Sequence, residues 1–172
     1  MNNRRILLVD DIGSMRSVIK SFLHDGKHEL VDEACDGSHA LQLLDRRKYA
    51  IVICDLEMPK LNGLELLKKI RATKKMRHVQ FIMVTTHNGV EKIKEVIDAG
   101  VNDYIAKPFQ ARFLLNKVDN AFAQRRLGIE QEKRERAEKV HSKDTTIEET
   151  IKAVEDTLDE FVIDLDVGET TE

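Results

Sequence analysis

Residues 50–63 read AIVICDLEMPKLNG, and the first five of them are continuously apolar before the run ends at Asp55. A continuous apolar run rich in β-branched residues is typical of a strand covered on both faces, as in the middle of a parallel sheet. Two further runs, ILLV at 6–9 and FIMV at 81–84, have the same character. We therefore predict three central strands, one of which ends at an aspartate.

Two other segments have the composition of edge strands. ELVDEAC at 29–35 and VNDYIA at 101–106 contain acidic residues, which a strand covered on both faces does not bury easily. Between the five strands, apolar residues recur with the spacing of amphipathic helices, as at Met15, Val18 and Phe22. Alternating strands and helices predict a doubly wound, flavodoxin-like α/β fold with five helices and strand order 2-1-3-4-5.

Local signals place the ends of these elements. Ser14 and Asn88 have the side chains preferred at the residue that begins a helix.

Cys35 and Cys54 match no metal-ligand spacing, so we expect two small buried thiols and no disulfide. No apolar run approaches the roughly 20 residues that cross a bilayer, and the amino end lacks the pattern of a secretory signal. We therefore expect a cytoplasmic protein.

Polar residues follow four of the predicted strands. Doubly wound sheets bind ligands beyond the carboxyl ends of their strands, and these ends carry Asp10, Asp11, Asp55, Thr85 and Lys107. One strand-end aspartate alone is best explained as a solvated turn residue, but four matching ends favour a common site. Converging carboxylates need a compensating cation, and an oxygen-rich site favours Mg²⁺.

This combination suits phosphoryl transfer. A metal ion and the Lys107 ammonium would neutralise the phosphoryl oxygens while the Asp55 carboxylate attacks as a nucleophile. The Thr85 hydroxyl would donate to an oxygen of the arriving group. We therefore predict phosphoryl-transfer chemistry at the carboxyl edge of the sheet.

The motifs ILLVDD (6–11), VICDLEMPKLNG (52–63), MVTT (83–86) and YIAKP (104–108) together resemble the receiver domain of bacterial two-component response regulators. The resemblance covers about residues 4–125 and is closest to single-domain, CheY-like chemotaxis members. It implies that Asp55 accepts a phosphoryl group from a histidine kinase or a small phosphodonor. It also implies that Asp11 binds Mg²⁺ directly, Asp10 through water, and Glu57 through its backbone carbonyl.

The resemblance also implies a switch. Lys107 would bridge to the phosphoryl group, Thr85 would close over it, and Tyr104 would swing inward behind Thr85. The surface made by the fourth helix, fifth strand and fifth helix would then bind a target protein. A cis peptide bond is implied between Lys107 and Pro108. We also hypothesise that Glu57 and His87 overhang the site and pair when His87 is protonated.

The expected function is a phosphorylation-controlled interaction switch in chemotaxis or motility, without enzymatic turnover of a separate substrate. Three alternative functions agree less well with the sequence. A magnesium phosphohydrolase of the haloacid-dehalogenase type would place its nucleophile on the first strand in an Asp-x-Asp pattern, which is not found here. A transcription factor would need a DNA-binding domain, and an acidic carboxyl-terminal segment repels phosphates. An unphosphorylated pseudo-receiver scaffold disagrees with the complete set of acidic residues.

The charge distribution divides the chain. Residues 145–172 contain ten acidic residues and one lysine, a net charge of −9, whereas the rest of the chain has a net charge of +6. We predict a receiver domain at 1–125, a charged helical linker at 126–144, and an acidic amphipathic helix with a tail at 145–172.

The acidic segment has one narrow apolar seam. Thr146 and Glu149 predict a capping box that starts a helix, and the apolar residues then recur at alternating intervals of four and three, namely at Ile147, Ile151, Val154, Leu158, Phe161 and Leu165. Four interpretations are open: self-association, docking on the receiver of the same or a neighbouring chain, docking on another protein, and a disordered solubilising tail. An inhibitory helix displaced by phosphorylation is one form of the second.

Overall fold

The computed structural model describes residues 4–86 and 89–165, and it describes no side chains at 139–151 and 153–165. The described residues form one parallel sheet with the order β2-β1-β3-β4-β5. This confirms the predicted topology. The strands are β1 (Ile6–Val9), β2 (Val31–Ala34), β3 (Ile51–Cys54), β4 (Gln80–Thr85) and β5 (Asp103–Ala106).

Helices cover both faces of the sheet. Side chains alternate along each strand, so that Leu7 and Val52 pack on one face while Leu8 and Ile53 pack on the other. The first face is covered by α2, α3 and α4, and the second by α1 and α5. The helices are α1 (Gly13–Asp25), α2 (Gly37–Arg46), α3 (Gly63–Ala72), α4 (Val90–Asp98) and α5 (Ala111–Leu165), with a 3₁₀ turn at Lys74–Met76.

Burial separates the central strands from the edge strands. Every residue of β1, β3 and β4 is buried, whereas most residues of β2 and β5 are only partly buried. The acidic side chains of the edge strands therefore reach solvent or a partner, as Asp32 does with Arg5 at 3.2 Å. The prediction that strands two and five lie at the edges is confirmed.

Two local predictions are wrong. Helix α1 begins at Gly13 and not at Ser14, because the turn before it is held by the Asp10 carboxylate, which accepts the N–H of Ile12 at 2.8 Å. Cys35 is exposed, since it follows the last buried residue of an edge strand, whereas Cys54 is buried as predicted. Asn88 lies outside the described residues.

Helix α5 runs without interruption through Thr146, so the predicted helix start there is also wrong. Residues 129–139 are mostly Glu, Lys, Arg, Gln and Ala, which have high helix propensity and favour continuation of α5. The chain separates into two compact units, Met1–Gly128 and Ile129–Glu172. The three-part division at residues 125 and 144 stays a prediction.

Within residues 4–86 and 89–165, no helix combines the length and the apolar composition needed to cross a bilayer.

Two glycines that begin helices test how tightly the sheet edge is packed. A Cβ at Gly63 would lie 2.2 Å from the backbone oxygen of Asp55, whereas a Cβ at Gly13 would meet its nearest neighbour at 3.6 Å. We expect Gly63→Ala to lower the free energy of unfolding by about 2 kcal/mol, the usual cost of overpacking. Urea denaturation of both variants checks this. Gly13→Ala should cost little, and equal losses in the two variants would contradict the packing argument.

Candidate functional site

A buried ion triad lies at the carboxyl edge of the sheet. The Lys107 ammonium donates to Oδ2 of Asp10 at 2.8 Å and to Oδ1 of Asp55 at 3.1 Å. The three side chains are 8%, 2% and 10% exposed, respectively. They follow β5, β1 and β3, whose carboxyl ends the parallel topology places together. The structure therefore brings together three of the site residues named from the sequence.

The backbone holds both aspartates in place. Asp55 donates its N–H to the carbonyl of Val9 at 2.8 Å, and Asp10 donates to the carbonyl of Ala34 at 3.2 Å. These bonds continue the pairing of β3 with β1 and of β1 with β2 by one residue. The carboxylates thus project from the rigid end of the sheet and not from a loose loop.

Lys107 is also fixed through its backbone. Its N–H donates to the carbonyl of Thr85 at 2.8 Å, and the peptide bond to Pro108 is cis, as the resemblance implied.

Burial and charge shift the pKa values of Asp55 and Lys107. Burial raises the pKa of Asp55, against the opposing effect of the Lys107 ammonium. Burial by itself would lower the pKa of Lys107, but its hydrogen bond to Asp10 and the charges of both aspartates outweigh this and raise it. Lys107 therefore stays protonated at neutral pH. The two carboxylates share this single cation, which leaves the triad with excess negative charge when both are ionised.

Two residues predicted to switch lie close to the triad. Thr85 is the last residue of β4 and is fully buried. Tyr104 on β5 is partly buried and packs against the core on the face covered by α2, α3 and α4. Burial and the charge of Asp55 raise the pKa of the Tyr104 hydroxyl, so the phenol stays neutral near the site.

The remaining predicted metal residues line a cleft beside the triad. Asp11 and Glu57 are exposed and line the same cleft of about 460 Å³, together with Asn62 and Lys92. His87 lies outside the described residues, so its predicted pairing with Glu57 stays a prediction.

The donor set can be compared with the needs of Mg²⁺. Among the described residues, no three His, Cys, Asp or Glu side chains form a ready-made metal cluster. Mg²⁺ does not need one, because it keeps several waters and binds through one or two carboxylates. The excess charge of Asp10 and Asp55, with the Asp11 carboxylate on the adjacent residue, fits a hard divalent cation. The proposed ligands Asp10, Asp11, Asp55 and the Glu57 carbonyl stay a prediction.

One contact beside the site was not predicted from the sequence. Lys60 has a left-handed backbone (φ 66°), and its ammonium lies 2.7 Å from Oδ2 of Asp36. Oδ1 of Asp36 accepts the N–H of His39 and so caps α2, while Gly37 donates its N–H to the carbonyl of Leu61. These bonds hold the loop that follows Asp55. An aspartate before a helical pattern could have indicated that Asp36 caps a helix. Its pairing with Lys60 was not predictable in this way, because the two residues are far apart in the sequence.

Comparison with known proteins gives a consistent result. Residues 6–119 match the model of the response regulator receiver domain. The chain is 41% identical over 120 residues to the chemotaxis protein CheY-3 of Vibrio cholerae, covering 70% of this chain and 92% of that protein. It is 42% identical over 117 residues to the CheY homolog of Campylobacter jejuni, covering 67% of this chain and 90% of that protein.

Solved structures agree with the fold. CheY4 of Vibrio cholerae, crystallised at low pH, superposes with a TM-score of 0.65 at 29% identity, covering 69% of this chain and 98% of the other. A CheY-like receiver domain from Methanospirillum hungatei gives a TM-score of 0.68 at 27% identity, covering 73% and 98%. The flavodoxin-like fold predicted from the sequence is therefore confirmed.

Removing the shared cation should destabilise the fold. In Lys107→Met, two buried carboxylates lose their common partner, and we expect the free energy of unfolding at pH 7 to fall by about 3 kcal/mol. Lys117→Met is the matched control, because Lys117 pairs with Asp103 at a partly exposed surface where such pairs contribute at most about 1 kcal/mol. Urea denaturation measures both. Similar losses of unfolding free energy in the two variants would show that the buried triad contributes no more to stability than an exposed ion pair.

Proposed function

Because the chain belongs to the response regulator receiver domain family, we propose that it is a two-component response regulator that accepts a phosphoryl group on Asp55. The observation that carries this proposal is the buried Lys107 ammonium bonded to both Asp10 and Asp55. An ammonium at that position can neutralise phosphoryl oxygens without moving far. The donor is a histidine kinase or a small phosphodonor, and the protein turns over no separate substrate.

The transfer step follows from the positions of these groups. A carboxylate oxygen of Asp55 forms a bond to phosphorus, the bond from phosphorus to the donor breaks, and the donor group leaves with the bonding electrons. Lys107 then bridges to the transferred group, and the Thr85 hydroxyl donates to one of its oxygens. Asp10 already accepts hydrogen bonds on both carboxylate oxygens, from Ile12 and Lys107. We assign the nucleophile to Asp55, whereas a phosphohydrolase would use the first-strand aspartate.

Mg²⁺ is the proposed cofactor. Asp11 would bind it directly, Asp10 through water, and Asp55 and the Glu57 carbonyl would complete the protein ligands. When bound, the ion supplies positive charge that offsets the repulsion among the carboxylates and the incoming phosphoryl oxygens.

Phosphorylation would then act on a surface next to the site. A phosphoryl group adds about 1.5 to 2 negative charges at pH 7. Thr85 moves toward that charge, and Tyr104 takes a more buried position behind it. Tyr104 also lines a cleft of about 490 Å³ with Phe109, Phe113 and Lys117, in which the Phe113 side chain is half exposed. Aromatic side chains beside a lysine suit the binding of a target protein on the α4-β5-α5 surface.

The cellular role and the carboxyl-terminal segment complete the proposal. The similar proteins named above are chemotaxis proteins, which supports a role in chemotaxis or motility signalling. We propose a cytoplasmic protein that does not bind nucleic acid. The acidic segment at 145–172 is proposed to dock on a receiver or on a partner, and its opposite charge to the rest of the chain supports the first.

Incubation with acetyl phosphate and Mg²⁺ tests the proposal directly. Intact-mass measurement should show that the wild-type protein gains one phosphoryl group, because Asp55 is the nucleophile, and that Asp55→Asn gains none. Asp98→Asn, at the end of α4, is the matched control and should be modified like the wild type. A wild-type protein that gains no phosphoryl group would overturn the proposed function.

The raised pKa of Asp55 predicts how the protein responds to pH. Burial makes the folded state bind this proton more tightly than the unfolded state does, so ionisation of Asp55 lowers stability as pH rises through its pKa. Asp55→Asn should therefore raise the free energy of unfolding at pH 7, and this gain should shrink as the pH falls through the raised pKa of Asp55. Urea denaturation across this range measures the gain. A variant less stable than the wild type at pH 7 would contradict the sign.

A further inference from the structure

Arg16 joins the loop after β1 to the edge strand β2. Its Nη1 donates to the backbone carbonyl of Asp10 at 2.7 Å, and its Nε lies 3.2 Å from Oε2 of Glu33. Glu33 also accepts from Lys20, whose ammonium lies 2.7 Å from Oε1. The Arg16 side chain is 20% exposed, so these contacts are made in a largely covered position.

The carbonyl that Arg16 binds belongs to the peptide unit leading into Asp11. Because a peptide unit is planar, fixing the direction of the Asp10 carbonyl also fixes the N–H and Cα of Asp11. Every other hydrogen-bonding group of Asp10 is held as well, by Ala34, Ile12 and Lys107. Arg16 therefore completes the set of bonds that orients this loop.

Asp11 depends on that orientation more than Asp10 does. The Asp11 residue is exposed, and no hydrogen bond or ion pair holds its carboxylate within the described part of the chain. The position of this side chain is thus set by its own backbone, and hence by the peptide unit that Arg16 holds.

We propose that Arg16 is a positioning residue for Mg²⁺ binding, which holds the Asp10–Asp11 peptide so that the Asp11 carboxylate meets the ion, with Glu33 anchoring Arg16. This inference rests on the proposed function. It extends the site to β2, a strand whose end carries none of the proposed phosphoryl or metal ligands. Residues that orient metal ligands from outside the coordination sphere typically change metal affinity by about 10- to 100-fold.

Charge and geometry predict opposite results for one variant, which makes the inference testable. By charge alone, removing the cation in Arg16→Ala would tighten Mg²⁺ binding at an acidic site. By geometry, it would weaken binding because the Asp11 carboxylate loses its orientation. Lys20→Ala also removes one positive charge that pairs with Glu33, but it leaves the hydrogen bond from Arg16 to the Asp10 carbonyl in place. It is therefore the matched control for charge.

The dissociation constant for Mg²⁺ alone is measured from the rise in urea midpoint with Mg²⁺ concentration. We expect Arg16→Ala to bind about tenfold more weakly than both the wild type and Lys20→Ala. Glu33→Gln should also weaken binding, because Arg16 loses its anchor. Arg16→Lys keeps the charge but has all its donors on one nitrogen, so it lacks the two separate nitrogens that bind Asp10 and Glu33. It should fall between Arg16→Ala and the wild type. Saturating Mg²⁺ should restore the rate of phosphorylation by acetyl phosphate in every variant.

Each of the following outcomes would overturn the inference. Equal or tighter Mg²⁺ binding by Arg16→Ala, matching Lys20→Ala, would reduce Arg16 to a nearby charge. A phosphorylation rate that saturating Mg²⁺ does not restore would mean that Arg16 acts on the transfer step itself. If the wild type binds Mg²⁺ and is phosphorylated but Arg16→Ala binds Mg²⁺ equally well, the positioning role is refuted and the proposed function stands. A wild-type protein that shows neither property refutes the proposed function and this inference with it.

Discussion

The candidate site depends on one buried ammonium shared by two carboxylates. Lys107, Asp10 and Asp55 are almost fully removed from solvent, and desolvating such charges costs more than an exposed pair returns. Two acids with one base also leave the cluster short of positive charge. A cluster built only for stability would be balanced or apolar. The imbalance is consistent with the proposed function, in which the site takes up a cation and a phosphoryl group.

The sheet makes that imbalance tolerable. Its central strands are buried along their whole length, and backbone bonds extend their pairing to Asp10 and Asp55 themselves. Around this rigid edge, polar contacts hold the loops: Asp36 with Lys60 beside the loop after Asp55, and Arg16 at the carbonyl of Asp10. The repelling groups are thus fixed by a scaffold whose stability comes from apolar burial elsewhere. This is the usual arrangement of a site placed on the ends of rigid elements.

Much of this could be predicted from the sequence, since the relevant signals are local and strong. Continuous apolar runs predicted the central strands, and the residues that directly follow the first, third and fifth strands predicted the triad. The errors came from weaker local signals that the surroundings override. Ser14 lies inside α1 because Asp10 supplies the turn, Thr146 lies within a continuous α5, and Cys35 is exposed because β2 is an edge strand.

The sequence by itself determined the strand order, the identity of the acids and the base, and the edge of the sheet where they lie. These follow from periodicity and chain order, which are properties of neighbouring residues. The tertiary structure alone decided that Lys60 reaches Asp36, and that Arg16 binds a backbone carbonyl near the site. No local pattern encodes such contacts, because each joins separate elements whose distance and direction are set only when the helices pack on the sheet.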